Sequence, residues 1–319
     1  MREFELIEQL RRKLPASSHG VTLGIGDDAA LLQAPSGATL AVCTDTLNEG
    51  VHFLPDHPPA ELGHKSLAVN LSDLAAMGAS PRWALLNLSL PAADESWLEE
   101  FTAGFLSLAE RYGLALVGGD TTRGPRSITV TLMGDVPEDQ ALRRDGAAAG
   151  ELIVVSGTPG LARLALQERR AGRPVSTAAY DALHRPPARL ELGLALRGWA
   201  SACIDLSDGL LPDLGHLAQA SGLGARLALE ALPVASDLST LEAQTRWELQ
   251  LQGGDDYELC FTLAPDRRNE LPALSQRLQV PLTVIGEMTD APGICLLDAA
   301  QNEFLPSGGG WSHFAEDAS

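Results

Sequence analysis

The sequence predicts a two-domain protein of the α/β (α+β) class, and three observations carry that expectation. At 319 residues the chain is long enough for two cores of ordinary size. Helix-period and strand-period segments are mixed along it rather than segregated by type. Between the halves, Pro137 to Gly150 carries charge, Gly and Ala with little periodicity after a long strand signal. The boundary is placed there, giving domains 1–138 and 149–319.

Helical spacing of apolar residues predicts helices over Glu5 to Leu14, Pro59 to Met77, Ser96 to Tyr112, Gly160 to Arg170, Ala188 to Trp199 and Leu211 to Ala220. Strands are expected over Thr39 to Thr44, Trp83 to Leu90, Leu114 to Gly118, Ser127 to Val136, Leu152 to Ser156 and Leu282 to Gly286. No fixed-period repeat and no low-complexity tract is present.

Hydrophobic residues make up 45% and charged residues 20%, a globular composition that excludes general disorder. The net charge of -19 argues against nucleic acid as a partner, because a phosphate backbone needs a basic surface. It does not argue against a nucleotide brought in with magnesium, whose charge then dominates locally. The four cysteines, Cys43, Cys203, Cys260 and Cys295, lie far apart in apolar runs and read as free thiols in a reducing compartment. With no signal peptide or membrane span visible, the expected location is the cytoplasm.

Six short acidic segments stand beside glycine or small residues: GIGDD (Gly24 to Asp28), CTDT (Cys43 to Thr46), NLSD (Asn70 to Asp73), GGDT (Gly118 to Thr121), DLSDG (Asp205 to Gly209) and GGDD (Gly253 to Asp256). Asp is a poor former of helix and strand interiors, so its recurrence in apolar surroundings points to a site. Carboxylates brought together repel, and a hard cation with oxygen ligands relieves that repulsion. A site of several magnesium ions handling phosphates is the leading expectation.

Each segment also has a plainer reading. Gly24 to Ala29 fits G-x-G-x-x-A superficially, but two carboxylates at the turn would repel a pyrophosphate, leaving a tight turn or a helix cap. In Lys65 to Gly78, Leu67, Leu71 and Leu74 form one stripe, while Asn70 and Asp73 share another face in apolar surroundings. A buried polar pair needs a partner, so Asp73 reads as a ligand. Gly118 to Gly124 follows what looks like a strand end, matched by a similar strand-to-Asp junction at Val42 to Asp45. Asp208, at a helix start, serves equally well as an N-cap. The chain has no P-loop, no protein-kinase motif set and no G-x-S-x-G.

Taken in order, GIGDDAAL, TDTLNEGVHF, KSLAVNLSDLAAMGASP, GGDTTRG, IDLSDGL and GGDDYELCF resemble the motifs of the thiamine-monophosphate kinase family. That family belongs to the superfamily of aminoimidazole-ribonucleotide synthetase and selenophosphate synthetase, and the resemblance runs from about Phe4 to Phe314. It implies a two-domain PurM-like fold whose first domain builds a β-barrel across a homodimer, with ATP in a cleft between the halves. The implied reaction transfers the γ-phosphoryl of ATP to thiamine monophosphate, giving thiamine diphosphate and ADP, the final step of thiamine diphosphate biosynthesis.

By the same resemblance, Asp28, Thr44, Asp45, Asp73, Asp120, Asp205 and Asp208, with the Cys43 main chain, hold several magnesium ions. Gly119, Asp120, Arg144 and Ser207 contact ATP, and His52, Asp255 and Trp311 face the thiamine phosphate. One departure is notable: the family usually has Glu where this chain has Asp255, one methylene shorter. No general base is assigned, because a terminal phosphate is already nucleophilic near neutral pH. Rival readings are another ATP-dependent member of the superfamily and a non-catalytic divalent-cation binder.

Overall fold

The computed structural model describes residues 20–308, so the helix expected over residues 5–14 and Trp311 lie outside the described residues. The chain divides into two compact units with the break after Ala141, and Ala75–Met77 belongs with the second.

The first unit contains β1 (Val21–Leu23), β2 (Leu31–Leu32), β3 (Ala38–Asn48), α1 (Pro59–Ala76), β4 (Ser80–Leu90), α2 (Glu95–Arg111), β5 (Ala115–Arg123) and β6 (Ser127–Pro137). Its main sheet has the order β3-β6-β4-β5, with β4 and β5 parallel and the other pairs antiparallel. β3 and β6 pair without a break from Ala38 opposite Pro137 to Asn48 opposite Ser127. That unbroken register explains why β3 runs past Thr44 through Asp45: the ladder overrides the poor strand propensity of Asp. β5 likewise continues through Gly118, Gly119 and Asp120 to Arg123. The acidic segments at 45 and 120 therefore sit inside strands, not at strand ends.

Alternation along β3 places Leu40, Val42, Thr44 and Thr46 on one face and Cys43, Asp45 and Leu47 on the other. The second face meets α1, where the Cys43 thiol donates to the Asn70 carbonyl at 3.4 Å. The first face is open at Val42, which is 63% exposed, and Leu40, 46% exposed. α1 buries Leu67, Leu71 and Leu74 as the heptad-like stripe requires, and Asn70 and Ser66 are buried as well. α1 and α2 touch main chain to main chain. A Cβ added at Gly63 would lie 2.0 Å from the Phe101 carbonyl oxygen, and one at Gly104 would lie 1.9 Å from that of Ala60.

The second unit contains β7 (Leu152–Ser156), α3 (Leu161–Arg170), α4 (Thr177–His184), α5 (Leu190–Leu196), β8 (Ala202–Asp205), α6 (Leu210–Ala220), β9 (Gly224–Ala228), α7 (Ala243–Gln252), β10 (Leu259–Leu263), α8 (Leu271–Leu278), β11 (Leu282–Thr289) and β12 (Gly293–Leu297). Its six-stranded sheet has the order β12-β9-β11-β7-β10-β8, antiparallel except for the β12–β9 pair. One face packs Leu210, Leu214 and Leu217 of α6 against Ile153, Val155, Ile204 and Ile285.

A polar tie runs beneath that sheet. Arg189 makes a two-pronged ion pair with Glu258, with both contacts at 2.6 Å, and the Ser156 hydroxyl also donates to the Glu258 carboxylate. Arg189→Met would leave this buried carboxylate without its cation. The expected cost is about 3 kcal/mol, read as a lower urea midpoint with an unchanged slope. The four cysteines are free thiols. Burial pushes Cys260 up to about 12 and Cys203 well above the usual thiol range. Both are therefore expected to escape iodoacetamide at pH 8 in the native protein and to react after denaturation, as peptide mass mapping would show.

Candidate active site

Site residues fall on both units. In the first, the Asp28 N–H donates to the Asp27 carboxylate at 2.8 Å, so Asp27 supports the turn while Asp28 is exposed. No helix starts there, which removes the helix-cap reading of this pair.

Asp45 of β3 and Asp73 of α1 both lie beside the Cys43 thiol. Burial first, then the Asp73 and Asp45 carboxylates, push that thiol far above its usual range, so it is a neutral donor. Asn70, one turn before Asp73, uses its amide nitrogen on the Ser66 carbonyl at 3.1 Å. Its Oδ1 is enclosed and has no hydrogen-bond partner among the described residues. A buried amide oxygen without a donor, one helical turn before Asp73, suits a hard cation or the water such a cation carries. Asn70 was visible in the sequence as the polar neighbour of Asp73 but was given no role.

Thr44 is expected by resemblance to take part in holding magnesium. Its hydroxyl lies on the opposite face from Asp45, 2.9 Å from the Thr131 hydroxyl and 3.1 Å from the Val130 carbonyl. Strand alternation is the reason, and only the Thr44 main chain remains on offer to a cation shared with Asp45.

The cross-sheet register aligns Asp45, Val130, Leu86 and Gly119 in one row. Three strand spacings put the backbones of Asp45 and Gly119 about 14 Å apart. Gly119 has φ +152°, and a Cβ there would lie 1.9 Å from the Leu86 carbonyl oxygen, so only glycine fits. Asp120 is exposed beside it and accepts the Thr121 N–H at 2.9 Å. His52 follows β3, and its Nδ1 accepts the Asn48 N–H at 2.9 Å. In the neutral ring the proton is then on Nε2, which makes that atom a donor.

In the second unit, Asp205 ends β8 and is buried, while Ser207 and Asp208 are half-buried in the following turn. The N-cap of α6 is Gly209, without a side-chain cap, so Asp208 does not cap that helix. Asp213 from the first turn of α6 takes that work. Its Oδ2 accepts the N–H of Asp208 at 3.0 Å and of Gly209 at 3.1 Å. Burial, then the Asp205 and Asp208 carboxylates, raise Asp213 to about 7, a sign of crowded negative charge.

The segment from Gly253 to Glu258 lies against this turn. Asp255 N–H donates to the Ser207 carbonyl at 2.9 Å and Tyr257 N–H to the Leu206 carbonyl at 2.8 Å. Asp255 and Tyr257 adopt left-handed backbone, with φ 71° and 49°, and the Tyr257 hydroxyl donates to the Asp255 carboxylate at 3.1 Å. Between them Asp256 is buried and accepts the Gly160 N–H with both oxygens at 2.9 Å, capping α3 from a distance. Burial raises Asp256 well above the usual carboxylate range. Arg144 is exposed, and its carbonyl accepts the Ser221 hydroxyl at 2.8 Å.

Among the described residues no three His, Cys, Asp or Glu side chains converge as a ready metal cage. The donor set is open, with carboxylates next to amide and main-chain oxygens. Magnesium is held in such sets by one or two carboxylates while it keeps several waters.

Fold and site define a class. The AIR synthase related protein N-terminal domain matches residues 26–136, and the corresponding C-terminal domain matches residues 148–297. The thiamine-monophosphate kinase of Escherichia coli K12 is 48% identical over 320 residues, covering 98% of each chain. The crystal structure of thiamine-monophosphate kinase from Stenotrophomonas maltophilia K279a superposes with a TM-score of 0.86 at 47% identity, covering 93% of this chain and 96% of that one. A solved structure of AaThiL complexed with AMPPCP and TMP gives 0.77 at 32% identity, covering 98% and 99%. The chain belongs to the thiamine-monophosphate kinase family, a two-domain branch of the AIR synthase related proteins.

Proposed function

We propose that this protein is an ATP-dependent kinase that transfers the γ-phosphoryl of ATP to thiamine monophosphate, yielding thiamine diphosphate and ADP. The observation that carries the reading is the meeting of Asp45 and Asp73 beside Cys43 at the β3–α1 seam, set in a chain nearly half identical over 98% of its length to a named kinase of this substrate. The AaThiL complex holds AMPPCP, an ATP analogue, together with TMP, which supports the same pair of ligands here.

Asp28, Asp45, Asp73, Asp120, Asp205 and Asp208, with the main chain at Cys43 and Thr44, would hold the magnesium. Bound there, magnesium would neutralise the charge of an anionic donor meeting an anionic acceptor. Gly119 brings the main chain close to the nucleotide phosphates, and Asp120, Arg144 and Ser207 complete its contacts. The Nε2–H of His52 and the Tyr257-braced carboxylate of Asp255 orient the acceptor, with Trp311 supplying an aromatic face. In-line positioning rather than proton transfer is the chain's own contribution, so no general base is invoked.

On this reading residues 1–138 form the nucleotide- and magnesium-binding domain, and residues 149–319 form the α/β domain that carries Asp205, Asp208 and Asp255. The open face at Leu40 and Val42 is where a second copy would close a β-barrel, making the enzyme a homodimer. The proposed location is the cytoplasm, and no helix among the described residues is long and apolar enough to cross a membrane.

Phosphorus NMR of the purified protein with magnesium, ATP and thiamine monophosphate tests the reaction. Thiamine diphosphate should appear with equimolar ADP. Intact ATP, or equal hydrolysis without the acceptor, would move the substrate elsewhere in the superfamily.

A further inference from the structure

We propose that Asp213 is a positioning residue for the cation-binding turn of the second unit, acting through Asp208. The proposal rests on the reading that Asp205 and Asp208 hold magnesium, and it adds a residue that the motif resemblance leaves without a role.

Asp213 is the fourth residue of α6 and only 3% exposed, so its carboxylate is not a solvated surface group. One oxygen, Oδ2, takes the N–H groups of two successive residues, Asp208 and Gly209. These are donors at the helix N-terminus that would otherwise lack partners, since Gly209 has no side-chain acceptor and sits at φ 124°. The Asp213 N–H itself donates to the Gly209 carbonyl at 3.1 Å, so main chain and side chain of one residue clamp the same turn. The Asp205 and Asp208 carboxylates both lie close enough to Asp213 to act on it, so the acceptor that fixes the Asp208 amide also holds the turn that carries these two carboxylates. Residues that orient ligands in this way govern affinity without touching the ion.

A double acceptor makes a specific demand. Asparagine retains an oxygen at the same place, whereas alanine retains none. In Asp213→Ala, the affinity for Mn²⁺, measured by electron paramagnetic resonance with AMPPCP present and no turnover, should fall roughly tenfold to a hundredfold. The magnesium concentration giving half-maximal rate should rise in parallel, while kcat at saturating magnesium changes little. Asp213→Asn should stay within about threefold of the wild type in both. Should the alanine protein fail to fold, Asp213→Leu, close in shape to Asn but without an acceptor, takes its place.

Equal losses in the Asn and Ala variants would overturn the proposal, since charge or direct ligation would then matter rather than the acceptor. Unchanged Mn²⁺ affinity in the Ala or Leu variant would overturn it as well. Asp208→Asn run alongside separates the two layers. Normal Mn²⁺ binding there would sink the magnesium reading itself, whereas weakened binding there with a normal Asp213→Ala would sink only the clamp.

Discussion

Asp73→Asn is expected to lower kcat at saturating magnesium by roughly a hundredfold or more, with the melting temperature nearly unchanged. Asp73 stands beside Asp45 and the protonated Cys43 thiol on the inner face of the first sheet. Asparagine keeps the shape and an oxygen that the thiol can still meet, so packing survives. On the proposed reading, the negative charge is lost where a cation would meet the transferring phosphoryl group. Steady-state kinetics over a magnesium series decide the point. Near-normal turnover at high magnesium would remove Asp73 from the cation site and shift weight to Asp45 and Asn70.

Gly104→Ala is expected to destabilise the protein by about 3 kcal/mol, and Gly63→Ala by a similar amount. In both cases the added methyl would meet a carbonyl oxygen of the facing helix at 2.0 Å or less. Main-chain atoms cannot rotate aside as a side chain would, so α1 and α2 must separate. α1 also carries Asn70 and Asp73, and its displacement should lower kcat in the fraction that remains folded. Urea unfolding monitored by tryptophan fluorescence gives the stability loss. A midpoint within error of wild type would show that the crossing has more room than its geometry implies.

Much of the architecture was legible because its elements are long and periodic. Leu152–Ser156 falls where expected, and the helices around Pro59, Glu95 and Leu210 start within a residue of their signals. β8, β9, β10 and β12 went unseen because four or five residues of mixed or wholly apolar character carry no usable period. α4, α7 and α8 were missed as well, at eight to ten residues each. The strand ends at Thr44 and Gly118 were set too early for a different reason. Asp and Gly depress strand propensity locally, whereas pairing with β6 and β4 decides the outcome from far along the chain.

At the candidate site, the acidic motifs marked turns and strands in the sequence but not the residues that support them. Asn70, Asp213 and Asp256 act by what they accept or leave unmet, and that depends on burial and on partners as much as 96 residues away. Asp256 stood in plain sight within GGDD, yet its role as a distant cap for α3 required the fold.

The left-handed backbone at Asp255 and Tyr257 bears on any attempt to harden this protein. Side chains at positive φ cost of order 1 kcal/mol each or more, but glycine at position 257 would relieve that cost only by emptying the place of a buried ring, a larger loss. The same exchange would delete the phenol that steadies Asp255. Selection for heat resistance would therefore be expected to leave these two positions alone. A thermostabilised form is better sought in distant surface loops.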